Sequence, residues 1–306
     1  MAAAGRLGPL RIAFLGLGLI GGSIALALRA RPEAQRDRLV AWSPAGGGPR
    51  AALVGGTIDE VAADPGDAVA GADLVVLAAP PLATAALVDL IAALPPGTLH
   101  PATTITDVAS TKGAIVSRAD AAGLPFVGGH PMAGRETSGY GAATAGLFVE
   151  RPWVVVPGRH ARPGDVARVE ELALACGAHP LAMTAAAHDA AAAAISHAPL
   201  VVAVALVEAV AGTAASGPAE GWDDARRLAA SGWKDMTRLA RGDAEMGAGI
   251  LATNGPATAA RLRALRTRLD AWVAALETEG SVDADGIRRA LADARDRAGS
   301  GGTGGA

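Results

Sequence analysis

A chain of 306 residues has room for two domains, and its net charge of −3 gives no electrostatic case for a nucleic-acid partner or an anionic membrane. Its one cysteine, Cys176, excludes an intrachain disulfide and a cysteine-based metal site, so no metal is expected and a reducing cytoplasm suits the composition. The first nine residues lack the basic start, apolar core and small-residue cleavage site of a secretory signal, and none is expected.

The apolar run at residues 10–15 predicts a buried strand. It leads into Gly16-Leu17-Gly18-Leu19-Ile20-Gly21-Gly22-Ser23 and then an alanine- and leucine-rich helix to about Arg29. Strand, glycine turn and helix in that order open a dinucleotide-binding unit. Gly16 permits the tight turn, Gly18 lets the backbone reach a pyrophosphate, and Gly21 lets the helix pack on the strand. The free N–H groups at the helix start face the phosphates. Residues 39–42 read as a second strand, and Ser43 follows it where an acidic residue would favour NAD over NADP. Serine accepts either, and Arg50 stands nearby in sequence to meet a 2′-phosphate. A further strand at 73–79 is stopped by Pro80-Pro81. The expected cofactor-binding set is Gly16, Gly18, Leu19, Ile20, Gly21, Ser43 and Pro80, with NAD(P)+ as the cofactor.

Residues 103–108 predict another strand, and Ser110 and Lys112 sit where it gives way to a helix, so Ser110 also reads as an N-cap and Lys112 equally as a solvated lysine. The segment Gly128-Gly129-His130-Pro131-Met132-Ala133-Gly134 places one histidine in a glycine-rich loop. Its unperturbed pKa of about 6.5 suits proton transfer near neutral pH. Residues 153–156 give one more strand. Alternating strands and helices predict a doubly wound parallel sheet of Rossmann type over residues 9–162. Strand patterns stop near residue 163, so residues 163–296 read as an all-helical substrate and dimerisation domain. The apolar stretch at 190–210, broken by His197, Pro199 and Glu208, reads as a helix buried at a dimer interface rather than a membrane span. The Gly/Ser-rich residues 297–306 are expected to be a disordered tail.

Five segments in order carry a family resemblance: the Gly16–Ser23 loop, Asp107-Val108-Ala109-Ser110-Thr111-Lys112-Gly113, the glycine-flanked His130 segment, His188-Asp189 with Ser196-His197-Ala198-Pro199, and Trp233-Lys234-Asp235-Met236-Thr237-Arg238. Together they resemble the prephenate/arogenate dehydrogenases of tyrosine biosynthesis. The resemblance implies oxidative decarboxylation of a cyclohexadienol, prephenate to 4-hydroxyphenylpyruvate, by a cytoplasmic homodimer. It implies His130 as the proton acceptor and Ser110 as its hydrogen-bonding partner near the substrate hydroxyl. It further implies substrate binding by Arg238 and His197, with Asp189 pairing with Arg238. Three positions depart from the family pattern: Leu200 and Gly247 stand where a histidine and a tryptophan are familiar, and Arg135 replaces a smaller residue and offers a new carboxylate contact. These leave arogenate and 4-amino-4-deoxyprephenate open as substrates. Hydroxyacid and imine reductases share the architecture but use a helical lysine for which this chain has no clear candidate. A non-catalytic nucleotide sensor is the remaining alternative.

Overall fold

Near-continuous apolar runs form the centre of the sheet, because strands covered by helices on both faces bury both sets of side chains. The computed structural model describes residues 9–32, 36–134, 137–277 and 282–300. In chain order the first part runs β1 (Arg11–Leu15), α1 (Leu19–Arg29), β2 (Arg38–Trp42), α2 (Gly47–Val54), β3 (Glu60–Val61), α3 (Pro65–Val69), β4 (Leu74–Leu77), α4 (Pro81–Ala92), β5 (Thr104–Asp107), α5 (Gly113–Ala121), β6 (Phe126–Pro131), β7 (Pro152–Pro157), α6 (Pro163–Ala175) and β8 (His179–Ala182). The strand order is β3-β2-β1-β4-β5-β6-β7-β8. Neighbours are parallel except β6 and β7, so β7 and β8 run against the rest. Side chains alternate between two cores. Ile12 and Phe14 of β1 meet Ile24, Leu28 and Trp153 on one face, while Ala13 and Leu15 meet Val75, Leu77, Ile105 and Phe126 on the other.

The second part is helical: α7 (Ala185–Ala192), α8 (Ala198–Ala211), α9 (Trp222–Leu228), α10 (Ser231–Met236), α11 (Ala244–Thr253), α12 (Gly255–Leu276) and α13 (Ala284–Ser300). A two-strand hairpin, β9 (Gly212–Thr213) with β10 (Gly217–Pro218), interrupts it. A π-helical turn at Ala193–His197 joins α7 to α8. Pro199 accounts for it: proline has no N–H to give the carbonyl four residues back and its ring crowds that carbonyl, so the helix widens just before it. The helical stretch Ala185–Ala211 is long and apolar enough to cross a bilayer by length and composition. In the single chain it leaves Ile195 68% exposed, so it is not buried within the protomer.

Three expectations need correction. The sheet continues past residue 163: α6 packs on it and β8 pairs with β7, so the helical part starts only after Ala182. His179-Pro180-Leu181-Ala182 is a mostly exposed edge strand too short to show alternation. His130 lies in a strand, not a loop, opposite Val154 of β7. Finally, helix α13 runs to Ser300, so the first four residues of the proposed tail at 297–306 are helical and the last six lie outside the described residues.

Candidate functional site

The site forms along the carboxyl edge of the parallel strands, where the sheet order reverses between β1 and β4. Gly16 carries a φ of +98°, and a Cβ there would stand 2.4 Å from the Ala78 carbonyl oxygen. A Cβ on Gly21 would stand 2.8 Å from the Gly16 carbonyl oxygen. Only glycine fits at these two positions. At Gly18 a Cβ would meet nothing within 4 Å, so that backbone faces open space. Gly18 caps α1 without any side-chain hydrogen bond and no acidic residue occupies the first turn, where Leu19 and Ile20 sit. This leaves the helix start electropositive toward an anion. Gly16 N donates to the Trp42 carbonyl at 2.8 Å and Ala78 N to the Leu15 carbonyl at 2.8 Å, drawing the loops after β1, β2 and β4 together. Pro80 thereby stands beside the glycine turn as the N-cap of α4. Ser43, just past β2, accepts from Gly46 N at 3.2 Å, and Arg50 donates to the Ala45 carbonyl at 2.9 Å, with its guanidinium packed over Gly46.

Farther along the same edge, Asp107 ends β5 and His130 lies near the end of β6. Asp107 and Lys112 form an ion pair with both side chains fully buried, which settles Lys112 as a buried rather than a solvated lysine. Asp107 also accepts from Gly129 N at 3.0 Å and Ala109 N at 3.1 Å, tying β6 to the turn after β5. Burial pushes the Asp107 carboxyl up and the Lys112 amine down, each opposed by the partner's charge. The two glycines before His130 serve packing rather than an unusual backbone. A Cβ on Gly128 would stand 2.9 Å from Lys112 Cδ, and one on Gly129 2.5 Å from the Asp107 carbonyl oxygen.

The helical domain meets this edge through the first turns of α7, which Thr184 caps by accepting from Ala187 N at 3.2 Å. His188 and Asp189 follow. His130 Nδ1 lies 2.8 Å from His188 Nε2, and His188 Nδ1 lies 2.8 Å from Asp189 Oδ1. Asp189 Oδ1 also accepts from Lys112 N, and Oδ2 from Gly113 N, both at 2.8 Å. A carboxylate of the second domain thus caps helix α5 of the first. Burial acts to raise the Asp189 carboxyl, but the bonds from His188, Lys112 and Gly113 hold it below its ordinary value. Desolvation drives His130 well below the usual histidine range, reinforced by the Lys112 cation and by His188 and His197. Asn254, between α11 and α12, donates to the Asp189 carbonyl at 2.8 Å, and its Nδ2 lies 3.0 Å from His197 Nδ1. His197 Nε2 is buried with no hydrogen-bond partner.

The expected residues converge only in part. His130, Asp189 and His197 come together. Asp189 does not pair with Arg238, because both its oxygens serve His188 and the start of α5. Arg238 is exposed on a short 3-10 helix, Arg238–Arg241. Ser110 is half-buried in the turn after β5 and makes no side-chain hydrogen bond to His130, whose Nδ1 is taken by His188. It is not the N-cap of α5 either, a position held by Lys112. Arg135 lies outside the described residues. Leu200 abuts Gly247, where a Cβ would stand 3.6 Å from Leu200 Cδ2, so two of the departures are neighbours. Straight-helix spacing would put Leu200 on the face of Asp189, but the π turn between them adds a residue and breaks that phase. Sequence reasoning assigned no role to Asp107, His188 or Asn254. The adjacent His188-Asp189 pair was the visible signal for one of them.

The family described as prephenate dehydrogenase, nucleotide-binding domain, matches residues 24–182, and that described as prephenate dehydrogenase, dimerization domain, matches residues 184–293. The chain is 37% identical to prephenate dehydrogenase of Bacillus subtilis over 172 residues, 55% of this chain and 45% of that protein. It therefore spans about half the length of the curated relatives it matches. Among solved structures, Synechocystis arogenate dehydrogenase aligns over 94% of this chain and 99% of its own, with a TM-score of 0.74 and 29% identity. The prephenate dehydrogenase of A. aeolicus, solved with hydroxyphenyl propionate and NAD+, shares the fold at a TM-score of 0.82 and 23% identity, over 96% of this chain and 99% of its own. Both halves of the site, the sheet edge with His130 and the helix with His188 and Asp189, fall inside the two matched regions, and the chain belongs to the prephenate dehydrogenase family.

Proposed function

We propose that this chain is an NAD(P)+-dependent dehydrogenase that converts prephenate to 4-hydroxyphenylpyruvate. The observation that carries the reading is the position of His130: it sits on the same sheet edge as the glycine cradle, with Nε2 unengaged by any described residue. The cradle fits a dinucleotide, because Gly16 and Gly21 exclude any side chain while Gly18 fronts open space. When bound there, the oxidised nicotinamide supplies the hydride acceptor. His130, kept neutral by its surroundings, accepts the proton of the ring hydroxyl as hydride leaves the carbinol carbon. The bond to the ring carboxylate then breaks, its electron pair enters the ring, and CO2 departs. His130 returns the proton to the oxygen of the aromatic product.

His197 suits substrate binding, since its buried Nε2 lacks a partner and Asn254 occupies its other nitrogen. Ser110 and Arg238 complete the proposed set on the family resemblance, and Arg135, a departure from the family pattern, is added as a new carboxylate contact. An arginine's planar guanidinium holds a carboxylate through two parallel hydrogen bonds. Arogenate is the second substrate of this reading, in keeping with the Synechocystis relative's name. No acid follows β2 to repel a 2′-phosphate, so NADP+ is accepted as well as NAD+. A homodimer forms through the helical domain, in the cytoplasm.

The test is reduced-nicotinamide formation by the purified protein, with prephenate and arogenate each offered against NAD+ and NADP+. Turnover is expected with prephenate. His130→Asn should lower it at least about 100-fold while cofactor affinity stays unchanged. No turnover in any combination, or a parent-like rate in the variant, would overturn the reading.

A further inference from the structure

We infer that Asp189 and His188 act as positioning residues that fix the tautomer of His130, placing its N–H on Nδ1 and leaving the Nε2 lone pair bare to take the substrate proton. What that lone pair does rests on the function proposed above. The tautomer itself follows from the hydrogen-bond chain.

Asp189 receives three hydrogen bonds, from His188, Lys112 N and Gly113 N, and as a carboxylate it can only accept. His188 Nδ1, 2.8 Å from Oδ1, must therefore be the donor. A neutral imidazole carries one N–H, so His188 Nε2 is left with a lone pair. That nitrogen lies 2.8 Å from His130 Nδ1, which must then donate. The rings meet edge to face, 73° apart with centroids 5.0 Å apart, which aims nitrogen at nitrogen. Every titratable group around His130 fits this arrangement. At the end of β5 and the N-cap of α5, Asp107 and Lys112 pair with each other rather than with His130. From the π turn, His197 is bonded to Asn254 rather than to His130.

The arrangement follows the logic of a buried carboxylate that orients a catalytic histidine and stabilises its cation, with a second imidazole inserted between them. When His130 takes a proton on Nε2, its Nδ1–H still points at His188, and the Asp189 charge lies one ring away. Asp189 is itself held by the N-terminus of α5, where the helix dipole favours a negative charge. A Cβ on Gly113 would stand 2.8 Å from Asp189 Oδ2, so glycine is needed there for the carboxylate to dock. The base is therefore aligned only when the helical domain is seated on the sheet.

Nitrogen-15 NMR of histidine-labelled protein, free of substrate, reads the tautomer directly, with His130→Asn assigning the signal. The expected result is a neutral His130 protonated on Nδ1. Protonation on Nε2 would overturn the proposal, whatever the substrate proves to be. In turnover, His188→Leu should lower kcat on the order of 100-fold with the cofactor KM unchanged, and His188→Gln, whose amide oxygen still accepts from Nδ1–H, should recover most of it. A parent-like kcat in His188→Leu, or equal loss in both variants, would also overturn it. If the parent oxidises neither prephenate nor arogenate, the functional reading falls while the NMR result still decides the tautomer.

Discussion

Removing one partner of the Asp107–Lys112 pair strands a charge beneath the sheet, because neither side chain has any solvent exposure. Lys112→Met should cost about 3–5 kcal/mol in urea unfolding, and adding Asp107→Asn should recover part of that, since a neutral amide still accepts from Gly129 or Ala109. A Lys112→Met unfolding free energy within about 0.5 kcal/mol of the parent would show the pair to be solvated. The same lysine bears on catalysis. His130 must be neutral to accept a proton, and burial together with the Lys112 cation lowers its pKa. The neutral form therefore persists below the ordinary value of about 6.5, and kcat/KM should stay flat through neutrality and fall only on the acid side of that value. Taking the cation away in Lys112→Met should move the acid limb to higher pH. A limb that stays put or moves the other way would remove Lys112 from the control of His130.

At the scale of elements, Gly129 shows how the strand pairing aims the base. It lies between the Asp107 carbonyl oxygen, 2.5 Å from where its Cβ would stand, and Trp153 Nε1 at 3.0 Å. Both neighbours are fully buried and cannot yield. Gly129→Ala should push β6 off β5 and displace the adjacent His130, so turnover should fall at least tenfold, as expected for misplaced reacting groups. Cofactor affinity should hold, because the glycine turn after β1 is a separate element. Titration of the variant with NAD+ beside its turnover separates the two effects, and an equal loss in both would mean that the whole sheet has shifted. This role was not legible in the sequence. Glycine beside histidine reads as loop freedom, whereas the structure uses it for close approach in regular strand geometry. Gly16 and Gly21 were legible because a strand-turn-helix constrains its glycines locally, through residues a few positions away. His188 against His130 is a pairing across the fold, 58 residues apart, and no local pattern encodes it; Asp107 and Lys112 are only five residues apart, but their burial is set by the strands around them. Strand β8 escaped notice for a different reason: four residues at a sheet edge, three of them exposed, carry no periodic signal.

On the scale of the whole molecule, the protomer leaves apolar helix surface uncovered. Helix α12 carries Leu262, Leu265, Leu269, Trp272 and Leu276 at alternating steps of three and four, the spacing of a helix seam. Leu269 and Leu276 are 54% and 58% exposed, and Val204 of α8 adds to the uncovered surface. Contiguous apolar stripes of this kind mark an interface, and a second copy of the chain is the occupant suited to a region matching a dimerization domain. Because α12 starts directly at Asn254, whose side chain holds Asp189 and lies against His197, an interface on this helix would also steady the residues behind the base. Leu269→Glu with Leu276→Glu should therefore convert a dimer to a monomer in sedimentation velocity, and it should lower kcat more than it lowers affinity for NAD+, since the glycine cradle lies in the other domain. The melting temperature of the parent should rise with protein concentration and that of the variant should not. A parent that sediments as a monomer across the working range would refute the interface, and a dimer that survives both charges would place it on another face.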